Sequence, residues 1–257
     1  MREEIKILLE PLPEIGLHQM DEVRLMNRID RKYLATEHQL CELLRLIQDG
    51  YKAQTIDGIK YLAYETVYLD DVCHTMYLAH HNGRLTRQKV RVRTYLDSVH
   101  PTFFEIKQKS NHGRTRKKRL LVHGLDTLQA DGASEFLGQH ALLPIPLCDM
   151  APVIENRFER ITLVNNGMSE RVTIDTGLCF HNLETGVSRN MDNLVVIEVK
   201  RQGRSESAIT DVLRDLRIHP CGFSKYCIGS ALTNPELKNN RFRIRIRKVN
   251  KITGYDK

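Results

Sequence analysis

The amino-acid sequence predicts an α+β fold: an antiparallel β-barrel with peripheral helices. Three observations carry that prediction. Several segments alternate ionic and apolar or β-branched residues with a period of two, as strands do. These segments follow one another as consecutive hairpins, which argues against a doubly wound sheet. The 257 residues can bury a substantial core and show no linker, low-complexity tract or internal repeat. The expected organisation is one domain over 1–257, with a core from about 20 to 233 and a basic tail over 238–257.

The elements follow in order. Residues 3–10 read as a short helix, stopped by Pro11 and Pro13. A first strand is expected over 24–35. Thr36 then caps a helix through Leu40, Leu43, Leu44 and Ile47 to Gly50. A strand over 61–69 ends at Asp70-Asp71, and a short helix over 72–81 stops at Asn82-Gly83. Three strands follow at 86–96, 101–110 and 114–122, the last two joined by Asn111-His112-Gly113. Residues 125–141 read as a helix closed by the Pro144/Pro146 loop. Strands at 152–164 and 169–176 flank the turn Asn165-Asn166-Gly167, and another spans 192–201. Ser205 or Ser207 starts a helix over 208–217. A loop from Pro220 and Gly222 leads to Ser224-Lys225-Tyr226 and a final helix to about 232. Arg241 to Arg247 alternates again, as a strand or a basic edge.

The alternation places Lys89, Arg91 and Arg93 in one row, with Val90 and Val92 behind. Arg28, Asp30 and Lys32 repeat the design, as do Glu105, Lys107 and Lys109, and the strands around Arg171 and Glu198. The planar guanidinium fork matches phosphate oxygens. An open sheet could turn such a face to solvent. A closed barrel could turn it inward, concentrating positive potential in a low-dielectric channel suited to a polyanion.

The formal net charge of +7 also favours an anionic partner. The six cysteines are scattered without a CxxC pair, which reads as reduced thiols in a cytoplasmic protein and argues against zinc. His80-His81 reads as a surface pair, and His112 and His219 as exposed turn neighbours. No signal peptide or membrane-length apolar run is visible.

An ordered set of motifs carries a resemblance. Arg28-Ile-Asp30-Arg-Lys32-Tyr33, Tyr68-Leu-Asp70, Arg91-Val-Arg93, Glu105-Ile-Lys107, Lys117-Lys-Arg119, Phe158-Glu-Arg160, Arg171-Val-Thr-Ile-Asp175, Glu198-Val-Lys200 and Ser224-Lys225-Tyr226 together resemble the VTC domain. That is the polyphosphate polymerase domain of the vacuolar transporter chaperone family, within the triphosphate tunnel metalloenzyme (CYTH-like) superfamily. Each motif alone is common in basic proteins; the full set in order is specific.

The resemblance implies a tunnel with a basic lumen. It implies transfer of the ATP γ-phosphoryl group onto a growing polyphosphate chain, with Mn²⁺ or Mg²⁺. By that resemblance Lys32, Arg91, Arg93, Lys107, Lys117, Arg160 and Arg171 bind phosphate, Glu198 is the metal carboxylate, and Lys225 is catalytic, aided by Arg93 and Arg171. Arg119 joins the phosphate-binding set because alternation puts it, rather than Lys118, on the face of Lys117. Glu105 and Asp30 are balanced between metal binding and lumen ion pairs, while Lys109 and Lys200 suit the rim. Asp70 and Asp175 read as caps or turn residues. The chain departs from its relatives at Asp30, often glutamate, at Phe158, commonly tyrosine, and at Asp71, often threonine or asparagine.

The expected partners are ATP and polyphosphate, with no nucleic acid. A tunnel triphosphatase attacking with water is the alternative enzyme. A non-catalytic polyanion or RNA-binding module is the third possibility, disfavoured by the absence of Trp and the few aromatics for stacking.

Overall fold

The computed structural model describes residues 2–20, 28–97, 101–111, 115–203 and 207–255. The expected strand start at 24–27, the Arg28 side chain, the turn residues His112-Gly113 and the candidate cap Ser205 lie outside the described residues.

The chain runs α1 (Arg2–Leu9), β1 (Glu14–Ile15), α2 (Leu17–Met20), β2 (Arg28–Thr36), α3 (Glu37–Ile47), β3 (Tyr51–Gln54), β4 (Leu62–Asp71) and α4 (Thr75–His81). It continues through β5 (Arg87–Tyr95), β6 (Thr102–Lys109), β7 (Thr115–Val122), α5 (Ala133–His140), β8 (Met150–Asn165), β9 (Glu170–Asn182), β10 (Ser188–Asn190) and β11 (Leu194–Gln202). The helices α6 (Ala208–Asp215), α7 (Lys225–Thr233) and α8 (Arg243–Thr253) end it. Among the described residues no helix is long and apolar enough to cross a membrane.

Eight strands form the antiparallel path β2-β11-β9-β8-β4-β5-β6-β7 of an 11-stranded sheet, to which β3 and β10 attach at β8 and β9, and β1 at β3. No backbone ladder joins β7 to β2 among the described residues, so hydrogen bonding does not close the barrel. The segment after α6 lies along the exposed edge of β2, where Cys221 donates its N–H to the Lys32 carbonyl at 2.7 Å. From there Phe223 accepts from the Lys32 ammonium at 3.1 Å and Ser224 from the Lys89 ammonium at 2.6 Å. Two adjacent residues thereby tie β2 to β5 across the concave face, and the open sheet curls into a tunnel.

Local chemistry explains the elements. Thr36 and Gln39 form a reciprocal capping box at the start of α3. Leu40, Leu43, Leu44 and Ile47 recur at helical spacing and are buried. They pack in one cluster with Val172, Ile174, Val195, Ile197 and Val199, the outward-facing residues of β9 and β11. Apolar residues therefore leave the lumen to the ionic ones. At one end α7 lies on the concave face: a Cβ on Gly229 would stand 2.5 Å from the Phe180 ring, so only glycine permits that approach.

Several expectations need correction. Arg241 to Arg247 is not a strand: Arg243 opens α8. Phe242 and Val249 are buried and Ile246 packs beside them, a helical stripe, while Ile244 is 84% exposed. The alternation of arginine and apolar residues there is accidental. The helix expected over 125–141 is confined to α5. Lys225 is not in a loop but is the first residue of α7, capped by Ser224. His80-His81 is not a surface pair: His81 is buried and stacks near Tyr77, and burial beside Lys89 and Arg87 pushes the His80 pKa down to about 2. The short strands β1, β3 and β10 were not anticipated.

Candidate functional site

The register brings the ionic residues onto one face. Lys32 lies opposite Glu198, Asp30 and Arg171 flank Lys200, and Asp175 lies opposite Arg160. On the other half of the sheet Tyr68, Arg91, Glu105 and Arg119 form one row, and Lys89, Lys107 and Lys117 the next. Thr66 and Arg93 form the row before. Lys32 on β2 is near enough to Lys107 on β6 for its charge to act there, so the two halves face each other across the lumen.

Aromatic rings organise the deepest part. Tyr64 and Phe158 stack with centroids 5.3 Å apart and planes 6° from parallel. Arg93 lies 5.6 Å, Arg160 5.2 Å and Lys225 4.0 Å from the Phe158 centroid. Three cations thus share one ring, each attracted by its negative face. Arg93 is 6% exposed and donates to the Thr66 hydroxyl at 3.1 Å. Burial, with Arg91 and Arg160 beside it, lowers its pKa to about 10.

Three lumen carboxylates meet different company. Glu105 is buried and accepts from Arg91 Nε at 2.7 Å and Lys117 Nζ at 2.9 Å. It is an ion-pair residue, with each oxygen bound to a cation. Asp175 accepts from Arg160 through both oxygens, at 2.6 and 2.9 Å, and from Lys225. Its reading as a cap or turn residue is therefore wrong; Asp70 does cap, accepting from the N–H groups of Met76 and Tyr77. Glu198 has a looser partner, Lys200 at 3.5 Å. Burial pushes its carboxyl up, but Lys32, Lys200, Lys107 and Arg160 outweigh burial and bring the pKa down to about 2.

The other expected residues are distributed. Arg119 is exposed and lies over Phe103 at 4.8 Å, at the margin of the lumen. Lys117 is half-exposed and Lys107 is exposed. Arg171 faces Lys200 and stands four residues from Asp175, about 13 Å along the strand. The expected catalytic trio is thus split: Arg93 and Lys225 share Phe158, and Arg171 lies elsewhere in the lumen. Sequence reasoning missed Tyr64 and the platform role of Phe158. It also left Lys89 without a role, although the alternation had placed it in the row.

Lys225 has a buried ammonium whose pKa falls to about 7, because desolvation, Arg160 and Lys32 outweigh Asp175. Between about 7 and the ordinary lysine value of 10.5 the unfolded chain holds this proton and the folded chain does not. This lysine therefore costs stability below 7 and the cost fades as pH rises. A phosphate beside it has the opposite effect, restoring the proton. Tripolyphosphate binding near pH 8 is expected to take up about one proton more in the wild type than in Lys225→Ala. Calorimetry in buffers of different ionisation enthalpy measures this; equal uptake in both proteins would contradict it.

Residues 27–234 match the family described as the VTC domain. No curated protein matches the chain. Among solved structures, a protein from Pyrococcus horikoshii OT3 aligns over 77% of this chain and 96% of its own, at 11% identity and a TM-score of 0.44. A putative adenylyl cyclase from Hippeastrum, described as having a dominant triphosphatase activity, aligns over 80% of this chain and 96% of its own, at 11% identity and a TM-score of 0.47. An RNA triphosphatase from S. pombe aligns over 93% of this chain and 86% of its own, at 9% identity and a TM-score of 0.31. Likenesses this distant support no conclusion about activity.

Proposed function

This chain belongs to the VTC domain family, and on that premise we propose that it is a metal-dependent polyphosphate polymerase, transferring the γ-phosphoryl group of ATP onto a polyphosphate chain within the lumen. One observation carries the reading most directly. Cationic side chains follow a single concave face from Lys32 through Arg160 and Arg93 to Lys117.

The acceptor in such a reaction is itself a phosphate oxyanion, nucleophilic at neutral pH, so no serine or cysteine nucleophile is required. Repulsion between two polyanions is the obstacle, and preorganised guanidinium and ammonium groups offset it. Arg93, Arg160 and Lys225 on the Phe158 platform are placed to hold the transferring phosphoryl group. Lys32, Arg91, Lys107, Lys117 and Arg171 would align the remaining phosphates, with Arg119 at the margin.

No cluster of three His, Cys, Asp or Glu side chains exists among the described residues to hold a metal by itself. The donor set nevertheless fits a hard divalent ion held jointly with substrate. Glu105 and Asp175 are each bound by two cations, whereas Glu198 is ionised and only loosely paired. Glu198 would supply one oxygen, and triphosphate and water the rest, as is usual for Mg²⁺ or Mn²⁺. When bound, the ion draws charge from the leaving diphosphate.

The test is incubation with ATP and Mn²⁺, followed by a gel for polyphosphate and an assay for free phosphate. Polymer with ADP is the expected result. Free phosphate equal to the ATP consumed, without polymer, would make the chain a tunnel triphosphatase. ATP left unconsumed would leave only the binding module.

A further inference from the structure

A second cationic site lies outside the lumen. The helix α8 carries Arg243, Arg245, Arg247, Lys248 and Lys251 and no carboxylate. Arg243 and Arg247 are four residues apart and so share one face. That face meets β10 and the end of α7 around a pocket of about 350 Å³, lined by Arg189, Leu232, Arg243, Ile246, Arg247 and Asn250 among others. No carboxylate lines it.

Arg189 is held in place. It donates to the Leu232 carbonyl at 3.4 Å, and its guanidinium lies 4.1 Å from the Tyr255 ring centroid. Neither contact neutralises it. No ion pair involves Arg189, Arg243 or Arg247 among the described residues, although the chain pairs many of its other cations. The buried side-chain oxygen of Asn250 has no hydrogen-bond partner among them either.

We infer that this pocket is a binding site for an inorganic oligophosphate, separate from the lumen. Three guanidinium groups present far more N–H donors than one phosphate can accept, and the volume exceeds that of a single phosphate. A run of linked phosphates satisfies several guanidinium groups at once. No aromatic side chain lines the pocket, and the Tyr255 ring outside it is covered by Arg189, so nothing there stacks a nucleotide base. The site is partly open to water, so its affinity should fall with salt.

This inference does not depend on the lumen being catalytic. Tripolyphosphate is titrated calorimetrically into the full chain at low salt, without metal. Four proteins are compared: wild type; the pocket variant Arg243→Gln/Arg247→Gln; a lumen variant Arg93→Gln/Arg160→Gln; and a charge control Lys248→Gln/Lys251→Gln on the same helix but not lining the pocket. Circular dichroism reports folding. The wild type and the control are expected to bind at two sites. The pocket variant should lose one of them, its affinity falling at least about tenfold. ATP should compete only weakly for that site. An isotherm unchanged by the pocket substitutions overturns the inference, as does an equal loss in the charge control. If the lumen variant fails to fold, the wild-type and pocket-variant isotherms still decide. A pocket-dependent site with no second, lumen site would overturn the lumen reading and leave this one standing.

Discussion

Glu198→Gln is expected to abolish metal-dependent phosphoryl transfer while preserving the fold. Glu198 stands opposite Lys32 on β2 and Thr173 on β9, on the lumen face, with Ile197 and Val199 buried behind it. Its charge persists because Lys32, Lys200 and Lys107 overcome the penalty of burial. Glutamine has nearly the same shape and no charge, so the site loses its loosely paired carboxylate and little packing. Charge stabilisation by a bound metal is worth several kcal/mol, so the rate should fall about a thousandfold or more. Single-turnover ADP release measures it, and circular dichroism checks the fold. A rate near wild type at saturating ATP and Mn²⁺ would remove Glu198 from the mechanism.

Asp175 and Lys225 are partners in space, yet their removal should act on different properties. Asp175 is 4% exposed and is the counter-charge of both Arg160 and Lys225. Asp175→Ala leaves two buried cations without it beside the Phe158 ring. Breaking a buried pair from one side costs about 3–5 kcal/mol. At about 2–4 °C per kcal/mol for a chain of this size, Tm should drop by about 10 °C. Lys225→Ala leaves Asp175 bound through both oxygens to Arg160, so Tm should change much less. Turnover should fall about a hundredfold, as for other preorganised charge donors, with a smaller change in ATP affinity. Thermal melts beside single-turnover kinetics separate the two. Equal melting temperatures for both variants would contradict the assigned structural role of Asp175, and an undiminished rate in Lys225→Ala the catalytic one.

Much of the lumen was legible along the chain because strand alternation is a local rule. Lys89, Arg91 and Arg93 share a face wherever their strand sits, and so do Glu105, Lys107 and Lys117 with Arg119 across one ladder. What alternation could not supply is the partner across a distant strand. Asp175 reads as the end of a short strand, but β9 runs on to Asn182 and keeps Asp175 in the lumen opposite Arg160. Phe158 reads as a conservative departure from tyrosine. Its position beneath Arg93, Arg160 and Lys225 depends on contributions from β5, β8 and α7. Arg241 to Arg247 misled because a period of two over seven residues also fits part of a helix, and the deciding apolar residue, Val249, lies beyond it.

The sequence by itself determined which residues are ionic, which strand face each occupies, the cap of α3 and the family to which the chain belongs. These follow from the 2.0 and 3.6 residue periods, from short-range hydrogen bonding and from ordered motifs. Tertiary structure alone decided which carboxylate is tied up and which is loosely held, which three cations share one ring, and that a loop from Pro220 to Ser224 ties β2 to β5. Those outcomes depend on contacts between groups far apart in sequence, such as Lys89 and Ser224, 2.6 Å from each other but 135 residues apart. A charge interaction falls off with distance and rises with burial, so only the folded chain assigns the lumen charges their different roles.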